Sequence, residues 1–132
     1  MEENEKMMVY QDETVIAYVE EKNPVAKIHF VVTAKDAAKA PTSLIGVTDD
    51  NSPLLGHMMR VVAQIAKEQG LQDGYRTVIN SGKHAVQNSP SLQIDIIGGQ
   101  LLTWPPGVEA NPPSTAVVNI NATNPEVNDL CN

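Results

Sequence analysis

The chain has 132 residues, 42% of them apolar and 19% charged, the composition of one globular domain rather than of a disordered or membrane-embedded chain. A formal charge of −7 argues against a surface that coats nucleic acid. The single cysteine, Cys131, excludes a disulfide framework and a thiolate zinc cage, and no apolar run approaches the roughly 20 residues of a membrane span.

Taken in chain order, Met7 to Tyr10 and Thr14 to Glu20 read as two strands joined at Gln11-Asp12-Glu13, the second alternating Val15, Ala17 and Val19 against Ile16 and Tyr18. After Asn23-Pro24, residues Lys27 to Thr33 form a third strand, and Pro41 limits the stretch Ala34 to Ser43 to a short helical turn. A long helix is expected from an N-cap at Ser52 and Pro53 to a stop at Gly70, with Leu55, Met58, Met59, Val62, Ile65 and Ala66 as its apolar stripe. Tyr75 to Asn80 and Ser91 to Ile97 are the fourth and fifth strands. This order predicts an α+β domain, a five-stranded antiparallel sheet with one long helix, over residues 1–107, with 1–6 as an acidic extension. Residues 108–132 are an Asn- and Pro-rich tail whose run Ala116 to Ile120 suits either an added strand or a disordered end.

In the fifth strand side chains alternate between faces, so Leu92, Ile94 and Ile96 take the core and Ser91, Gln93 and Asp95 take the opposite, ligand-accessible face. That spacing, with Gly74 to Gly82 before it, Gln87, Gly98-Gly99 and Trp104-Pro105-Pro106-Gly107 after it, and Leu54 to Met59 and Ile28 to Val32 upstream, resembles the histidine-triad (HIT) superfamily. The branch it is most similar to is that of the histidine-triad nucleotide-binding proteins, purine nucleoside phosphoramidate hydrolases. The resemblance covers about Met7 to Gly107 and implies a dimer with a joined sheet, in which Trp104 packs at the interface.

It also exposes departures. The family places three histidines where this chain has Ser91, Gln93 and Asp95, and the middle one is the nucleophile. The carboxamide of Gln93 has its nitrogen lone pair delocalised and cannot form that covalent bond. Asp95 brings a negative charge to the place where a phosphate would lie. Ala85-Val86 replace paired glycines beside the phosphate, Asn88 replaces a serine that protonates the leaving group, and Asp36 falls where the family has a further histidine. The implied outcome is a catalytically inactive homologue. It would serve as a homodimer or as a subunit of a larger assembly, without metal or cofactor, nucleic-acid binding or membrane insertion.

An alternative keeps Asn80, Gln87, Asn88, Ser91 and Gln93 as a non-hydrolysing purine nucleotide or nucleoside pocket; an unorthodox hydrolase ranks last. Asn80 is equally an ordinary turn residue before Ser81-Gly82. Asp95 is expected as a solvated strand carboxylate, with no histidine or lysine in evident reach to activate it as a nucleophile. His29 and His57 are expected in structural roles, and His84 as a weak anion contact. The pairs Met7-Met8 and Met58-Met59 are expected as core filler. The acidic start at Met1 to Lys6 is unlike a targeting peptide. The expected setting is therefore intracellular, cytoplasmic by default, with an organellar or cytoskeletal assembly as alternatives.

Overall fold

The computed structural model describes residues 6–104, and the predicted strand at Ala116 to Ile120, the Pro105-Pro106-Gly107 turn and Cys131 lie outside them. Five strands, β1 (Met8–Gln11), β2 (Val15–Val19), β3 (Ile28–Ala34), β4 (Tyr75–Val78) and β5 (Gln93–Gly98), form one antiparallel sheet in the order β1-β2-β3-β5-β4. The single α-helix among the described residues, α1 (Ser52–Glu68), lies between β3 and β4 in sequence. Short 3-10 turns at Ala37–Lys39, Leu44–Gly46 and Lys83–Ala85 carry the connections. The compact unit ends at Leu102, and of the unit beginning at Thr103 only Thr103 and Trp104 are described.

Alternation decides which face of the sheet is covered. Val15, Ala17, Phe30, Val32, Ile94 and Ile96 are buried on one face, in a single core with Met58, Val61, Val62 and Ile65 of α1. Each large aliphatic side chain removed from water there contributes about 1.5–3 kcal/mol. The helix stripe differs from the expected one at two positions. Val61 is fully buried, whereas Met59, one position past the edge of the stripe, is 41% exposed. Met7 and Met8 are exposed as well, so of the four paired methionines only Met58 fills the core.

Asn51, not Ser52, stands at the N-cap of α1, and its Oδ1 accepts from the Thr48 N–H instead of from the helix. The C-terminus closes as expected at Gly70, whose φ of +75° suits glycine. The Gly70 N–H donates to the Lys67 carbonyl and the Leu71 N–H to the Ala66 carbonyl. This is the Schellman arrangement, sealed by the buried pair Leu71 and Ala66.

One carboxylate ties the β1–β2 turn to the helix. Asp12 Oδ1 accepts from the backbone N–H groups of Thr14 and Val15, while its Oδ2 accepts from the Tyr10 hydroxyl and from His57 Nε2, each at 2.6 Å. His57 therefore has the structural role expected of it. The Tyr10 bond holds the Asp12 carboxyl well below the usual carboxylate range, helped by the His57 and backbone bonds and opposed by partial desolvation, and the same contact raises the Tyr10 hydroxyl.

Candidate functional site

The sheet face opposite the core carries the polar side chains of β5. β5 lies between β3 and β4, with Val31 and Val78 both in register with Asp95 and Thr33 opposite Gln93. His29 is two residues from Val31 on β3, hence on the same face as Asp95 and diagonal to it. Its Nε2 lies 3.7 Å from Asp95 Oδ1. This corrects the expectation that no histidine reaches Asp95. Nor is Asp95 a freely solvated carboxylate: burial, the dominant effect, pushes its carboxyl up and Glu20 pushes the same way, while His29 opposes both.

These groups open into a cavity of about 230 Å³. Its wall includes His29, Gln93 and Asp95 from the sheet and Asn80, Gln87 and Asn88 from the connection between β4 and β5. Glu20, Asn23 and Val25 close the side formed by the β2–β3 connection. Among the described residues the wall has two carboxylates, Glu20 and Asp95, and no lysine or arginine.

Four of the five residues expected to form a pocket are therefore together. The fifth, Ser91, is buried beside the cavity rather than on its wall, and its carbonyl accepts from the Ser89 hydroxyl. Gln87 lines the cavity but its carboxamide is already used: Oε1 accepts from the Gly82 N–H at 2.8 Å and Nε2 donates to the carbonyls of Thr42 and Ser89. Its role is to hold two loops together. His84 is exposed and lies off the cavity wall. Asp36 is likewise elsewhere, its Oδ1 accepting from the Ala38 N–H at the start of the Ala37–Lys39 turn.

The loop where the family offers glycines keeps a glycine-like backbone without the glycine. Val86 has φ of +60° and ψ of +45°, and no other non-glycine residue among those described has a positive φ. A β-branched side chain in this left-handed region costs about 1–2 kcal/mol. The N–H groups of Ala85 and Gln87 donate to the Gly82 carbonyl and that of Val86 to the Lys83 carbonyl. Three backbone donors are thus turned inward on the loop rather than toward an anion. Gly99, in the Gly98-Gly99 pair, is needed for packing: its φ is +78° and an added Cβ would lie 2.9 Å from Ile28 Cγ1.

Among the described residues no group of three or more His, Cys, Asp and Glu side chains could hold a metal ion, and no helix is long and apolar enough to cross a membrane. His29 missed its assignment to the site because only the strand order and register bring it to Asp95, and neither is written in the local pattern of either strand.

Residues 1–100 match the family described as scavenger mRNA decapping enzyme C-term binding. An uncharacterized HIT-like protein of Synechococcus elongatus is 38% identical over 100 residues, covering 76% of this chain and 84% of that protein. A 14 kDa zinc-binding protein of Zea mays is 35% identical over 100 residues, 76% of this chain and 77% of that one. Among solved structures, a HIT family hydrolase from Legionella pneumophila superposes with a TM-score of 0.71 at 28% identity, over 78% of this chain and 89% of its own. A histidine triad protein from Clostridium difficile gives 0.68 at 33% identity, over 75% and 84%.

Proposed function

The chain belongs to the histidine-triad superfamily, and from that premise we propose that it is a hydrolase-like member which has lost the chemistry and serves as a structural or scaffolding subunit. The observation that carries this reading is the cavity wall: Gln93 stands where a nucleophilic imidazole is required, beside Asp95 and Glu20 with no lysine or arginine facing them. A phosphate ester entering there meets two carboxylates and no lysine or arginine, and the carboxamide nitrogen, its lone pair delocalised into the carbonyl, is no nucleophile toward phosphorus. Asn88 in place of a hydroxyl donor and the inward-turned loop N–H groups act in the same direction. Pairing of two copies, with Trp104 at the interface, belongs to this proposal, as does an intracellular setting.

The persistence of the cavity supports a second reading, in which an uncharged nucleoside is held without hydrolysis. The test of the first is hydrolysis of an adenosine phosphoramidate by the purified full chain. The expected rate equals the buffer control. Turnover above that control which disappears in Gln93→Ala would overturn the proposal.

A further inference from the structure

The sheet face opposite the core places a neutral imidazole between two carboxylates. His29 Nδ1 accepts from the Val25 N–H at 3.2 Å, so the ring keeps one proton, on Nε2, and carries no charge. Extending the β2–β3 register by one step sets Glu20 opposite His29, and the Glu20 N–H donates to the His29 carbonyl. Asp95 lies diagonally across on the other flank. His29 is 8% exposed, its Nε2 is buried without a hydrogen-bond partner, and Asp95 Oδ1 at 3.7 Å is too distant to accept from it. The ring is therefore a floor that neither donates to Asp95 nor offers Nε2 to a ligand.

What the wall lacks is positive charge and N–H donors. Asp95 keeps 23% of its side chain exposed and accepts no hydrogen bond from any described residue, so its carboxylate is open to the cavity. Glu20 Oε2 accepts from the Asn23 N–H at 3.1 Å, which leaves Oε1. The carboxamide oxygens of Asn80, Asn88 and Gln93 add neutral acceptors. Two cations near the same sheet face lie off the wall: Lys6 Nζ sits 4.1 Å from the centroid of the Tyr18 ring, and Arg76 lines a separate hollow beside Tyr75 and Leu101. A primary ammonium supplies what is missing, a compact charge with three N–H donors that point in different directions. The acceptors likewise come from three directions, the β2–β3 connection, β5 and the β4–β5 connection. A guanidinium holds its donors in one plane, an anion meets two carboxylates, and a hydroxyl leaves their charge uncompensated. At about 230 Å³ the space falls below the roughly 300–1,000 Å³ of drug-sized sites and suits a small compound.

We propose that the cavity binds a small primary ammonium compound, its charged nitrogen held on the open side of the Asp95 carboxylate and facing Glu20. This rests on the same acidic wall that carries the proposed loss of phosphate chemistry, but the two fail separately, since an amine can fail to bind while phosphoramidates remain untouched.

The experiment is a nuclear magnetic resonance titration of the full-length, nitrogen-15-labelled chain, at constant ionic strength, with ethylammonium, tetramethylammonium and ethanol in parallel. Saturable millimolar shifts of the Asp95 and Gln93 backbone amides and of the Asn80 and Gln93 side-chain amides are expected with ethylammonium. Ethanol, which lacks the charge, and tetramethylammonium, which lacks N–H donors, should each bind at least about tenfold more weakly. Asp95→Asn preserves the shape of the side chain but removes its charge, and should weaken ethylammonium binding about tenfold. Glu20→Gln keeps an acceptor for the Asn23 N–H and, at a more open position, should weaken it about threefold. The amide spectrum of each variant reports whether it is folded. The proposal is overturned if ethylammonium gives no saturable shift, or if ethanol or tetramethylammonium binds as tightly. It is also overturned if Asp95→Asn folds and binds unchanged or, should that variant not fold, if Glu20→Gln folds and binds unchanged.

Discussion

At the scale of single residues, this chain separates what a site looks like from what it can do. Gln93 and Asp95 sit on the face that alternation assigns them, and a period of two is enough to read that from the sequence. Their surroundings are not readable in that way. The approach of His29 to Asp95 depends on β3 lying beside β5 with Val31 opposite Asp95, a fact of register across residues far apart in the chain. Val86 shows a second limit. Its type argues for an obstructed loop, but its backbone has remained left-handed, so the substitution is written as strain as well as bulk. Val86→Gly removes about 1–2 kcal/mol of that strain and gives back roughly 0.5–1 kcal/mol in chain entropy. The net expectation is a stabilisation of up to about 1.5 kcal/mol, seen as a higher urea midpoint at unchanged slope. A lower midpoint would mean that the valine side chain packs favourably enough to outweigh its backbone.

At the scale of elements, strands and helix were legible because their apolar periods differ, and the errors fall at edges. Met59 lies just outside a stripe whose true centre is Met58, Val61, Val62 and Ile65, and one step around a helix turns a side chain by about 100°. The cap shifted by one residue because Asn51 bonds backward to Thr48. The Asp12 junction was not legible, since Asp12 read only as part of a turn and His57 only as a helix residue. It has a pH signature. The folded carboxyl lies below its unfolded value of 3.8, so the stability it contributes is complete above that pH and is lost as pH falls from there toward the lower folded value. Comparing wild type with Asp12→Asn by urea unfolding should therefore show a constant deficit in the variant near neutrality, narrowing below about pH 4. Both partners are partly exposed, so the deficit should be modest. A deficit that widens on acidification would contradict the assigned direction.

At the scale of the whole molecule, the fold is that of a HIT domain, and the wall of its cavity carries two carboxylates and no lysine or arginine. The core face, the Schellman helix end and the tight Gly99–Ile28 contact maintain the architecture without reference to the opposite face. On the proposed reading, that separation lets the face opposite the core change its chemistry while the core face continues to specify the fold. A chain of net charge −7 adds long-range repulsion to the local objection against a nucleotide. The most direct measurement of the central claim, that this cavity no longer receives a phosphate, is a calorimetric titration of the full chain with adenosine and guanosine monophosphates. The account predicts no binding heat up to millimolar nucleotide. Micromolar binding, roughly −8 kcal/mol, would contradict it and make the protein a nucleotide sensor instead.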